Sequence, residues 1–113
     1  MTITIDRAAL LENFMDDEEL LQESIDLFLE RVKTRFGDLE KAVEAKDIQK
    51  VMEEGHTIKG MVGIFTTAEA FEAAKKLEFM GRNKDLTGVD EALADFKTIL
   101  GELVEQLRIL RGE

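Results

Sequence analysis

The sequence predicts an all-α domain, an up-down antiparallel four-helix bundle with a short additional N-terminal helix. Three observations predict it. The 113 residues contain no proline and are rich in Ala, Leu, Glu and Lys, which favour helix. Apolar residues recur at steps of three and four along successive segments, so each segment has one face to bury. The connections between segments are short, and short connections make neighbouring helices antiparallel.

Asp6 is placed to cap a first short helix carrying Ala9, Leu10 and Phe14. Asp16 is the N-cap candidate for the second helix, with Glu19 at the capping-box position. From there an apolar stripe runs Leu21, Ile25, Phe28, Val32, Phe36, Leu39, Val43. Gly37 interrupts this helix without having to end it. Asp47 caps the next, whose apolar face is Ile48, Val51, Met52, Gly55, Ile58, Val62 and Phe65. Thr66 and Glu69 form a capping box for the fourth, which packs through Ala70, Phe71, Ala74, Leu77 and Met80. Gly81 to Gly88 is the clearest loop. Leu93, Phe96, Leu100, Leu103, Leu107 and Leu110 form the stripe of the last helix, better used as bundle core than as a coiled-coil seam. No linker, repeat or low-complexity tract divides residues 1–113, so one domain is expected.

Composition removes several classes of function. The net charge is −10, and no basic stripe is present, so no nucleic-acid partner is expected. No apolar run approaches the length of a membrane span, and the first residues do not resemble a secretion signal, so no membrane partner and a cytoplasmic location are expected. Without cysteine there is no disulfide, thiolate metal site or sulfur nucleophile. A single histidine leaves only all-carboxylate metal sites, and the Asp16–Glu19 cluster is explained by the charge preference of a helix N-terminus. No metal or cofactor is expected in the chain.

The unusual segment is Glu54-Gly55-His56-Thr57-Ile58-Lys59-Gly60-Met61-Val62-Gly63-Ile64-Phe65. Three glycines in one predicted helix cost roughly 2.5–3 kcal/mol relative to alanine. On a helical wheel Gly60 lies about 40° and Gly63 about 20° from His56. Both leave space beside the imidazole, and Lys59 sits about 60° away in the adjacent turn. The core face is centred more than about 90° from His56, so the ring is expected to meet solvent. Gln49, Met52 and Glu53 complete that face, with Ile64 at its far end. A neutral ring nitrogen can attack phosphorus. Phosphoryl transfer needs positioning and charge neutralisation more than a set of bases, and a nearby ammonium supplies one counter-charge. A histidine on a helix is more often a plain surface residue, and the glycines alone are equally consistent with close helix packing.

The segment resembles the signature of histidine-containing phosphotransfer domains: a small residue, His, any residue, Leu or Ile, Lys, Gly, then small residues and an aromatic or leucine. Gly55, His56, Ile58, Lys59, Gly60, Gly63 and Phe65 match it. LLENFMDDEELLQESIDLFLE, KAVEAKDIQKVMEEGH and AEAFEAAKKLE extend the resemblance over most of the chain. The string around His56 is also similar to the phosphoacceptor domain of chemotaxis kinases, in which a glutamate of the following helix hydrogen-bonds the histidine. Glu78 holds the matching position. Three departures blur the subfamily: Thr66 in place of glycine, Ile64 in place of asparagine, and no proline in the long helix.

The resemblance implies a phosphoacceptor at His56 with Lys59 as its charge partner and no autonomous kinase activity. It implies exchange with an aspartate of a response-regulator receiver domain or a histidine kinase, with Mg2+ bound by the receiver. Gln49, Met52, Glu53, Gly60, Gly63 and Ile64 are the expected docking surface. A phosphorylation-independent helical adaptor of the same fold is the alternative; the intact His56 and Lys59 speak against it.

Overall fold

The computed structural model describes residues 5–66 and 68–112. All regular structure among them is helical: α1 (Arg7–Asn13), α2 (Glu18–Glu44), α3 (Ile48–Gly63), α4 (Glu69–Arg82) and α5 (Val89–Arg111). α2 packs on α3, α3 on α4, α4 on α5, and α5 closes the ring against α2. The expected bundle with its short leading helix is therefore the fold. None of its helices is long and apolar enough to cross a membrane.

The core follows the predicted stripes. Leu21, Ile25, Phe28, Val32, Phe36, Leu39 and Val43 of α2 are buried, as are Val51, Ile58 and Val62 of α3 and Phe96, Leu100, Leu103 and Leu107 of α5. Steps of three and four keep these side chains on one face, where removal from water stabilises the packed state. α1 closes one end of the bundle. Its Leu10 is buried, and the Phe14 that follows stacks on Phe65, which meets Phe28 edge-on with ring centroids 5.2 Å apart. The C-terminal end of α3 is thus anchored to α1 and α2.

Asp6 and Asp47 cap as expected: Asp6 accepts from the Ala8 amide and Asp47 from the Lys50 amide. Three local readings need correction. The N-cap of α2 is Asp17, which accepts from the Leu20 amide, not Asp16. Met15 and Asp16 both adopt left-handed backbone in the turn out of α1, and the Asp16 amide is used on the Leu11 carbonyl. Thr66 does not open a helix. Its hydroxyl accepts from the Ala68 amide, and α4 begins at Glu69. Gly81 belongs to α4 and is buried; the loop starts at Asn83.

Gly81 is helical because α4 presses on α3 there. A Cβ on Gly81 would lie 2.6 Å from the Met52 amide nitrogen and 2.8 Å from the Ile48 carbonyl oxygen. One turn along, a Cβ on Gly55 would lie 2.9 Å from the Glu78 amide nitrogen. Two glycines, one from each helix, thus let the backbones of α3 and α4 touch. This contact sets the position of Glu78.

Candidate functional site

Gly55 immediately precedes His56, and the Gly55 contact is with the backbone of Glu78. The close approach therefore brings one particular imidazole to one particular carboxylate. His56 Nδ1 lies 2.9 Å from Glu78 Oε2. The ring is otherwise turned outward, with 67% of the side chain exposed, while the Glu78 side chain is 1% exposed. Glu78 is the sole charged residue buried among the described residues.

A carboxylate in that position requires compensation. Lys59 Nζ lies 2.7 Å from Oε1, and Arg82 Nη2 donates to Oε2 at 2.8 Å. The lysine contact is an ion pair made off the ideal hydrogen-bond direction, so Oε1 has close charge but no well-aligned donor. Burial pushes the Glu78 carboxyl up, but the close positive charge of Lys59 and the hydrogen bonds from His56 and Arg82 outweigh it and hold the pKa at about 2. Glu78 is consequently an acceptor only. His56 Nδ1 must be the donor, and in the neutral ring that tautomer has its lone pair on Nε2.

Lys59 is placed differently from the free surface ammonium that the sequence suggests. Its side chain is 21% exposed, salt-bridged to Glu78, with Nζ 5.9 Å from the centre of the Phe71 ring. It stands against the same buried carboxylate that holds His56 and neutralises its charge. Arg82, assigned to a loop from sequence because Gly81 precedes it, is the participant that sequence reading missed. Its place four residues after Glu78 was the available signal.

The expected docking residues divide. Gly60 is exposed, and a Cβ there would meet nothing within 4 Å. Gly63 is not part of the same opening: a Cβ there would lie 3.2 Å from the Phe71 ring, so that glycine makes room for an aromatic side chain. Gln49 and Glu53 are exposed and hydrogen-bonded to each other at 2.9 Å. Met52 is half-buried, and its backbone faces Gly81. Ile64 is 53% exposed at the end of α3.

The more apolar surface lies on the other side of His56. A groove of about 280 Å³ between α2 and α3 is lined by Leu27, Phe28, Thr57, Met61, Ile64 and Phe65. Arg31 and Arg35 stand on its α2 side, and Leu27 is 46% exposed. Leu27 falls outside the buried stripe of α2. Among the described residues no group of three or more His, Cys, Asp or Glu side chains is arranged to hold a metal.

The family model for the Hpt domain matches residues 23–109, a span that includes His56, Lys59, Glu78 and Arg82. The chain is similar to the multistep phosphorelay regulator 1 of Schizosaccharomyces pombe (strain 972 / ATCC 24843), with 32% identity over 81 residues. The match takes in 71% of this chain and 28% of that relative's length. No solved structure matches.

Proposed function

The chain belongs to the Hpt domain family, and from that premise we propose that it is a histidine phosphotransfer module of a two-component phosphorelay with the phosphoryl group carried on Nε2 of His56. The observation that supports this most strongly is the exposed imidazole whose Nδ1–H is held by a buried, ionised carboxylate. In the forward step the Nε2 lone pair attacks phosphorus while the bond from phosphorus to an aspartyl oxygen of the donor breaks, its electron pair leaving with the carboxylate. The ring becomes a phosphoimidazolium, and Glu78 stabilises the added positive charge through Nδ1–H. The return step reverses these events. Lys59 sets positive charge near the phosphoryl oxygens.

The partners in this reading are a receiver domain, which brings the aspartate and Mg2+, and a histidine kinase further upstream. The name of the fission-yeast relative agrees with a place in a relay. Residues 1–113 act as one unit in the cytoplasm, without kinase activity of their own. The partner docks over Gly60 and the α2–α3 groove, with Gln49 and Glu53 at a polar edge. Leu27, Met61 and Ile64 supply an apolar centre of the size a transient interface needs.

The test is phosphotransfer from a radiolabelled receiver. Label should appear on the domain, be lost in acid and survive base, as a phosphoramidate does. His56→Gln should take up none while keeping its helicity by circular dichroism. Label that persists in His56→Gln would remove the assignment. No label on the parent from any receiver or kinase would favour the adaptor reading.

A further inference from the structure

Glu78 does two things to His56 that pull in opposite directions for a nucleophile. Accepting from Nδ1–H frees Nε2 to attack. A carboxylate against the ring also favours the doubly protonated imidazolium, in which Nε2 carries a proton and cannot attack. The second effect is opposed by what else touches Glu78. Lys59 balances the carboxylate through Oε1, and Arg82 donates to Oε2, the same oxygen that receives His56. With the ring neutral, Glu78, Lys59 and Arg82 together carry one positive charge. Protonating the ring would make it two.

We infer that Arg82 is a positioning residue which keeps His56 Nε2 free of a proton, by sharing the Glu78 oxygen that holds Nδ1–H and adding positive charge beside the ring. The inference rests on the reading of Nε2 as the phosphoryl-accepting atom. A second contact argues that Arg82 stays where it is: its guanidinium lies 5.8 Å from the centre of the exposed Phe79 ring. Lys75 Nζ occupies the same ring at 5.5 Å. One end of Arg82 is thus held by the carboxylate and its plane is supported by an aromatic side chain.

Other charges stand on the elements packed around His56 without contacting it. On α3 these are Glu53, three residues earlier, and Lys59. α4 offers, besides Glu78, Arg82 and, further out, Lys75. α2 offers Arg31 and Arg35, which line the groove at Thr57. Glu53 is the one anion of this set besides Glu78, and it is occupied by Gln49. Removing Arg82 therefore makes the site less positive and frees Oε2 to accept from Nδ1–H alone. Both changes favour ring protonation.

His56 is the chain's sole histidine, which allows a test that needs no phosphorelay partner. Diethylpyrocarbonate modifies unprotonated imidazole and is followed by absorbance. Its rate should be measured from pH 5.5 to 8.5 for the parent, Arg82→Gln and Arg82→Lys. Glutamine keeps a hydrogen-bond donor and suits a helix but carries no charge. We expect Arg82→Gln to react roughly two- to threefold more slowly than the parent at pH 6, a change of the size a partly exposed charge produces, and to converge with it above pH 8. Arg82→Lys should follow the parent. A ratio of Arg82→Gln to parent that does not change with pH would overturn the inference, as would a glutamine variant that reacts faster at pH 6. Receiver-dependent labelling, run in parallel, separates this result from the phosphotransfer reading: that reading fails if His56 takes up no label, whatever the reagent shows.

Discussion

Gly55 and Gly60 stand five residues apart on one helix in opposite surroundings. At Gly55 the backbone of α4 is so close that a methyl group would sit 2.9 Å from an amide nitrogen, whereas at Gly60 nothing lies within 4 Å. The same division runs along α3. One side is a seam against α4, closed by Gly55 and Gly81 and containing a buried carboxylate with three basic partners. The other is open, with a shallow apolar groove and exposed Leu27 and Ile64. His56 sits at the border. Small residues in a helix therefore carry no single meaning: a glycine in the seam fixes distance, and a glycine on the open side leaves room.

That contrast can be broken most forcefully through Glu78. Its folded-state pKa of about 2 lies below the ordinary 4.5. Its ionised form therefore contributes stability above the unfolded value, and the contribution disappears as pH falls through the folded value. Between about pH 4.5 and about pH 2 the parent should lose roughly 3 kcal/mol more than Glu78→Gln. Urea unfolding at several acidic pH values checks this. Equal losses would mean that other carboxylates carry the acid sensitivity.

Gly81→Ala comes next. The added methyl meets backbone atoms, which cannot turn aside, so a loss of about 2–3 kcal/mol is expected. The His56–Glu78 spacing should widen as the helices separate, visible as a shifted imidazole signal by NMR. A stable Gly81→Ala with an unmoved His56 signal would show that the seam is softer than its geometry implies.

Lys59→Met sharpens the division, because it leaves the lysine's volume and removes its charge. Arg82 and His56 still face Glu78, so a loss of about 1–2 kcal/mol is expected, less than for a buried charge stripped of every partner. Thermal unfolding measures it, and a change under about 0.5 kcal/mol would return the lysine to the surface class.

The smallest effect belongs to the open side. Gly60→Ala should stabilise the domain by about 0.8–1 kcal/mol, since helix propensity improves and nothing is displaced. Gly60→Gln should keep that stability and slow transfer from a receiver. Unfolding by either variant would turn Gly60 into a packing residue and erase the contrast with Gly55.

Much of this arrangement was legible in the sequence where it rests on local repetition. The stripes from Leu21 to Val43 and from Leu93 to Leu107 report helices because a period near 3.6 has one structural meaning. His56 and Glu78 were paired through resemblance of the surrounding residues, since 22 positions separate them and no periodicity links them. Other features were hidden for physical reasons. Gly81 reads as a helix end locally, and only the backbone of α3 explains it as a contact. Adjacent Asp16 and Asp17 offer the same capping chemistry, and the left-handed turn at Met15 and Asp16 decides between them. The groove exists only once α2 and α3 lie side by side, although Leu27 marked it as an apolar residue off its helix's buried face.

The seam and the groove use different side chains. Gly55, Gly81, Lys59, Glu78 and Arg82 make one; Leu27, Arg31, Met61 and Ile64 make the other. Substitutions at positions with no shared partner add nearly independently. The proposed docking surface can therefore change at Leu27, Met61 and Ile64 while the contact between His56 and Glu78 keeps its geometry. An engineer testing that proposed surface would vary these apolar positions and leave Arg31 and Arg35, the α2 charges that line the groove at Thr57, in place.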